Sequence, residues 1–501
     1  MKNIKYLSAL LLGVTMFLSC SESFLNVTPE GALTEDVYFS NESSLNNALN
    51  AVYSTINWRF FRLGQMYFST HEICSDDFIP GLNADFIPLQ NFTYLEDNYM
   101  IQRYWEQYYG YLNRCNQTLA LASKFTTNAN VKQIEAQAKF FRAYYHFDLM
   151  NVFGQTVLRD HVPSAAEYNI PKSSEAQIRS SVISDLMFAI NNLPTRSEWG
   201  TANNGRVSKG TAQGLLAKVY LYNQQYDSAY KYSDAVVKSQ QFDLFNSYRD
   251  LYAKGNTYSV ENMMPGHFTY QNIAGRLRNP LVEWQGVPTT TNKLGSANLL
   301  PSADIVGSYE VGDPRKTASI FTIGETIDGV DAADLVWRPG FQYANKKVIW
   351  PKSTWDNSDF FTQALNLTFM RYAEILLMRA ESANELGNSA VALADIEYVR
   401  NRARGGNNSV LPKIVETDKA KLRELIWKER RVELAFEGQR WLDLVRYEKV
   451  VPGYMTAIMQ KLGRTNFNYA KHHRFPLPLT YVTSSQGVLT QSAAWGGQDV
   501  K

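Results

Sequence analysis

The sequence predicts a mainly α protein: paired helices form a scaffold, and long irregular loops with a few short strands interrupt it. Three observations carry that reading. Apolar residues recur at helical spacing through most of the chain, in blocks joined by short turns. Start and stop residues bracket those blocks, as where Gly387 can end one helix and Asn388 can cap the next. Residues 240–370 lack sustained helical periodicity but are rich in Gly, Pro, Asn and Thr, and dense in Trp and Tyr. A long irregular stretch between helical blocks is functional or disordered, and aromatic density argues against disorder.

Taken in order, residues 41–58 read as a helix with Leu45, Leu49 and Val52 on one face. Residues 100–125 and 134–153 form a long pair. Ser174 with Gln177 fits a capping box opening a helix through Leu193. Residues 209–222 and 227–239 pair across Asn223-Gln224-Gln225, and residues 371–386 pair with a helix running to Arg404. Residues 418–436 follow, with Leu422, Leu425, Ile426 and Phe436 as the apolar side. Small residues (Ala373, Ala380, Ala383, Ala390, Ala394) fall where backbones must approach. These hairpins resemble tetratricopeptide-type pairs, which stack into a superhelix. A short strand is expected around Val348-Ile349-Trp350, and a second loop insertion at residues 75–99.

The N-terminus reads as an export signal. Lys2 and Lys5 precede an apolar run that is too short to span a bilayer and ends at Ser19-Cys20. A small residue before a cysteine resembles the bacterial lipobox, so residues 1–19 are expected to be removed and Cys20 to carry a lipid. Residues 20–40 then link that anchor to a single body at 41–501, with its scaffold at 41–240 and 366–460 and its insertions at 75–99 and 240–365. Lipid attachment makes such a protein anchored rather than spanning.

Lys and Arg number 50 against 48 Asp and Glu, a balance that argues against nucleic acid as the main partner. Of the 3 cysteines, Cys74 and Cys115 remain after lipidation and are expected to be free and buried. Asp76 and Asp77 are adjacent carboxylates, expected to form a turn or bind a cation. Glycoside hydrolysis would need two carboxylates facing across a cleft. His472 and His473 lack the further ligands that zinc requires. No nucleophile elbow or phosphate loop is present, so no catalysis is expected. No cofactor is expected either, with a structural Ca²⁺ left open.

Five blocks then point to a family. Residues 371–381, RYAEILLMRAE, look like the RYAEVLLMRAEA signature of the SusD/RagB family. Residues 429–444, ERRVELAFEGQRWLDL, are close to its ERRxELAFEGxRWxDL block, and residues 138–154, AKFFRAYYHFDLMNVFG, resemble its ARFLRAYYYF block. The early FLNVTP at 24–29 and the late RFPLP at 474–478 with LTQ at 489–491 match in the right order. The resemblance implies an outer-membrane lipoprotein facing the cell exterior. It also implies capture of an oligosaccharide or polysaccharide and delivery to a SusC-like TonB-dependent β-barrel, without catalysis. Two alternatives stand beside that: a peptide-binding RagB-type member, and a surface glycoside hydrolase.

The signature block itself is expected to be structural, a charged helix bearing Glu429, Arg430, Arg431, Glu433 and Glu437, with Arg430 reaching Glu374 or Glu381. Sugar recognition needs flat aromatic faces and groups that read hydroxyls. The insertions offer these at Asn83, Asp85, Phe86, Tyr270, Arg276, Trp284 and Trp337. A wider set includes Tyr343, Trp350 and Trp355.

Overall fold

In a computed structural model, the chain is described at residues 42–58, 69–81, 84–253, 255–266, 284–287, 295, 297–335, 337, 340–354 and 367–500. The Cys20 expectation and those at Asn83, Tyr270, Arg276 and Trp355 lie outside these residues. The chain divides into two units, residues 1–47 and 48–501. Among the described residues no helix is long and apolar enough to cross a membrane.

Helices dominate, and side-chain caps set most of their starts. They are α1 (Glu42–Trp58), α2 (Tyr99–Ala122), α3 (Ala129–Phe153), α4 (Glu175–Asn192), α5 (Lys209–Tyr222) and α6 (Tyr226–Lys238). After the long insertion come α7 (Tyr372–Glu385), α8 (Ser389–Arg404), α9 (Lys419–Glu433) and α10 (Arg440–Val450). The Asn98 side chain accepts from the amides of Met100 and Ile101, and Asn128 from Val131. Asn128 starts α3 five residues before the expected Ile134, because a cap, not the first apolar residue, decides where a helix begins. The Ser174–Gln177 capping box forms as expected, and Gly405, with φ 57°, ends α8.

Each helix from α2 to α8 packs on the next, and α9 packs on α7. This is the tetratricopeptide-like stack the sequence predicts. Close approach depends on small residues: Ala373, Ala380 and Ala383 on α7 are fully buried against their neighbours. On α8 the buried alanines are Ala392 and Ala403. Ala390 and Ala394, expected at the contact, face solvent instead. A Cβ on Gly214 of α5 would lie 2.8 Å from Cδ1 of Ile375 on α7, so glycine sets the spacing of that crossing. Trp427 of α9 stacks on Tyr447 of α10 with centroids 3.8 Å apart. Cys74 and Cys115 are both free and buried, and burial pushes both thiols above their ordinary value.

α9 ends earlier than its charge pattern suggests. It stops at Glu433, and Phe436 takes φ 67°, so Glu437 lies on a turn rather than on the helix with Glu433. The strands are β1 (Phe78–Pro80), β2 (Asn262–Gly266), β3 (Leu299–Pro301), β4 (Ile320–Thr322), β5 (Tyr343–Asn345) and β6 (Leu367–Arg371). They pair antiparallel as β1–β3, β2–β6 and β4–β5. The strand expected around Val348–Trp350 falls at β5 instead, since Asn345 caps a tight turn at Lys346–Val348.

Candidate functional site

The two insertions meet. β1, from the first, pairs with β3, from the second, with Phe78 opposite Pro301 and Pro80 opposite Leu299. Ser302 reinforces the joint: its amide donates to the Asp77 carbonyl at 2.8 Å and its hydroxyl to the Asp76 carbonyl at 2.5 Å. The pairing continues past the strands. Gly81 donates to the Asn298 carbonyl, and Asn298 donates to the Trp284 carbonyl, both at 2.8 Å. A Cβ on Gly81 would sit 1.6 Å from the Ala297 carbonyl oxygen, so only glycine lets the backbones approach.

This ladder positions Trp284. Phe86, on a short turn of helix at Phe86–Gln90, meets it edge-on at 6.0 Å. Phe86 is fully buried and Trp284 half-buried, so Phe86 backs the tryptophan instead of offering its own face. The next residue, Gln285, is buried and accepts from the Asn345 amide on β5 at 2.6 Å. Trp337 is also half-buried and stacks on Phe321 of β4, with centroids 5.8 Å apart and planes within 10°. Asp85 is exposed at the start of the Phe86 turn and does not cap it with its side chain. Trp350 is a core residue: it is buried, with the Arg249 guanidinium 3.8 Å above its ring.

Below this layer, the signature block after α8 acts as an ion clamp. Arg431 of α9 reaches Asp77 at 2.8 Å, Asp304 at 2.9 Å and Asp76 at 3.0 Å, so one guanidinium holds both insertions. Arg440 of α10 grips Asp76 with two bonds of 2.7 and 2.8 Å. The adjacent aspartates are therefore neither turn formers nor cation ligands. Both are buried and answered by arginine. Burial alone would raise the Asp76 carboxyl, but Arg431 and Arg440 outweigh it and hold it well below the usual carboxylate range. Burial and the charge of Asp76 push Asp77 up, despite Arg431.

The turn at Phe436–Gly438 completes the seat. Phe436 packs edge-on against Phe78 of β1 at 5.1 Å, and the Gly438 amide donates to Glu72 at 2.5 Å. On the side of the second insertion, Arg371 at the end of β6 bonds Glu261 at 2.7 Å, Glu433 at 2.6 Å and Glu437 at 2.8 Å. Lys347 adds a 2.8 Å pair to Glu437. Little of the Glu437 side chain reaches solvent, which would raise its carboxyl, yet Arg371 and Lys347 draw it down to about 2. Arg430 reaches Glu374 at 2.9 Å and Asp443 at 2.8 Å, while Glu381 belongs to Arg446. A buried ion pair is weak evidence of net stability, because desolvation consumes most of the attraction. What such pairs fix is placement, here that of two long loops. His472 is spent on packing, with its ring against Phe92, Tyr94 and Trp495. Among the described residues no group of three or more His, Cys, Asp or Glu is placed to hold a metal ion.

Sequence reasoning missed the clamp's partners. The available signal was an arginine-rich block elsewhere in a chain that also carries an unexplained aspartate pair.

Comparison with known proteins agrees with this architecture. The SusD family matches residues 223–480, and a second family described as "Starch-binding associating with outer membrane" matches residues 23–221. The chain belongs to the SusD family. It is 26% identical to SusD-like protein P2 of Formosa agariphila over 475 residues, covering 88% of this chain and 90% of that one. A SusD-like protein of Bacteroides ovatus is 25% identical, covering 88% of this chain and 82% of the other. Among solved structures, one described as a laminarin-binding SusD-like protein superposes with a TM-score of 0.75 at 25% identity, covering 90% of this chain and 99% of that chain.

Proposed function

We propose that this protein is a cell-surface glycan-binding lipoprotein. Cys20 anchors it to the outer membrane, and it captures oligosaccharides and passes them to a SusC-like TonB-dependent barrel. The observation that carries the reading is the joint between the insertions. Strand pairing and the Arg431 clamp hold loops far apart in sequence together beside Trp284, while Trp337 stacks on Phe321 of β4. An ordered aromatic layer is what pyranose recognition requires, since a preorganised loop loses little entropy on binding. The starch-binding description of the second matched family and the laminarin-binding neighbour support a glycan ligand, and the first of these also supports the outer membrane as location. The chemistry asked of the protein is binding and release, with no bond made or broken.

The test is calorimetric titration of the full chain, in a sugar-free detergent, with laminarin and starch oligosaccharides. Saturable binding that Trp284→Ala weakens at least tenfold supports the reading. Binding of peptides and of no glycan overturns it in favour of peptide capture. Co-purification of a TonB-dependent barrel from native membranes tests the handover.

A further inference from the structure

A second concave site lies on the helical scaffold, and neither insertion contributes to its walls. Its volume is about 440 Å³, within the usual range for small-ligand pockets. One wall is α2, where Trp105, Tyr109, Asn113 and Gln117 recur every four residues and so share one face over about 18 Å of helix. The facing wall is the connection between α3 and α4, which brings Tyr168 and Asn169, and Tyr481 joins from the C-terminal segment.

The connection is rigidly built. The Tyr109 hydroxyl donates to the Val157 carbonyl at 2.8 Å, and the Asn116 amide to the carbonyls of Arg159 at 3.0 Å and His161 at 2.9 Å. The Arg159 guanidinium donates to the carbonyls of Glu167 at 2.5 Å and Tyr168 at 2.8 Å, holding Tyr168 up at the rim. There Tyr168 is 68% exposed, and no other ring among the described residues stacks on it.

The charged side chains of the cleft already have hydrogen-bond partners. Glu106 accepts from Arg103 at 2.8 Å and from Gln102 at 2.8 Å, and Arg159 is spent on backbone carbonyls. The side-chain amides of Asn113, Gln117 and Asn169 have no partner among the described residues. Each carries both donors and an acceptor, which suits hydroxyls, since these do both as well. Aromatic faces beside uncommitted amides, with Glu106 paired to Arg103 and Arg159 bonded to backbone carbonyls, suit an uncharged polyhydroxylated ring.

We propose that this scaffold cleft is a second carbohydrate site, which binds a short neutral oligosaccharide between α2 and Tyr168. The choice of ligand class rests on the glycan-binding reading above, but the residues are separate. Two sites on one molecule would raise retention of a polymer through effective concentration, without tightening either site.

The test is saturation-transfer NMR on the full chain in a sugar-free detergent, with a panel of neutral trisaccharides: maltotriose, laminaritriose, cellotriose, xylotriose and mannotriose. Wild type is compared with a Tyr168→Ala/Gln117→Ala double variant, with Trp284→Ala, and with all three changes combined. Tyr168 and Gln117 are exposed, so the double variant should fold, and near-UV circular dichroism confirms it. A loss of at least fivefold for one trisaccharide in the double variant, with signal retained in Trp284→Ala, supports the cleft. Unchanged binding in the double variant with loss in Trp284→Ala overturns the cleft and leaves the insertion site standing. No binding of any trisaccharide by wild type overturns both.

Discussion

Asp76 and Asp77 are neighbours of the same type and equal burial, yet their replacement by Asn should have very different costs. Asp76 is the only ion partner of Arg440 among the described residues, gripped through two bonds of 2.7 and 2.8 Å. Asp76→Asn leaves that buried guanidinium without its bonded carboxylate, and removing one partner of a buried pair costs about 3–5 kcal/mol. Asp77 shares Arg431 with Asp76 and Asp304. Burial first and the charge of Asp76 second already hold its carboxyl above its ordinary value, so Asn removes a desolvation cost and a repulsion along with an attraction. The expected loss is about 1 kcal/mol, the worth of one hydrogen bond. Urea unfolding followed by far-UV circular dichroism measures both, with equal m-values as the check that only stability changed. Equal losses for the two variants would refute the assignment of Arg440 to Asp76 alone.

Acid should destabilise the protein in two steps. His146 is fully buried, and burial lowers its pKa to about 4, so the folded state resists a proton that the unfolded chain accepts below about 6.5. Stability therefore falls as pH drops from about 6.5 to 4, by about 3 kcal/mol for this group. Glu437, held at about 2, contributes a similar amount that is present above about 4.5 and lost as pH falls through 2. Urea midpoints at pH 7, 5 and 3 should decline in that order, and a flat profile would contradict both assignments. Gly81→Ala should break the β1–β3 extension and weaken glycan binding more than it lowers the urea midpoint, since the Ala297 carbonyl stands where the methyl would go. Cys74 and Cys115 should react with a thiol reagent only after denaturation, because both are buried and their thiols are held protonated.

Local features were legible in the sequence and distant ones were not. Caps and periodicity located most helices, because both act within four residues. The end of α9 was misplaced because a helical charge pattern continues through Glu437, while the backbone turns at Phe436. Alternating charge on an apolar-backed helix led to Glu374 or Glu381 as the partner of Arg430, and the fold uses Glu374. Phe86 was expected to contact ligand and instead supports Trp284. An aromatic residue in a loop looks the same in sequence whether it covers a ligand or a neighbour. The α2 face of the scaffold cleft was present as a four-residue repeat, yet it read as ordinary helix because half of that repeat is apolar.

The Asp76–Arg440 contact joins positions 364 residues apart. The chain must bring most of its length together before that contact can form, and the first insertion waits through that interval for the cation that fixes it. Throughout that interval Asp76 and Asp77 repel each other with nothing from α9 or α10 to hold them. The clamp thus makes assembly of the binding layer depend on the later part of the chain, and a chain cut short before residue 440 would carry a complete first insertion with no seat.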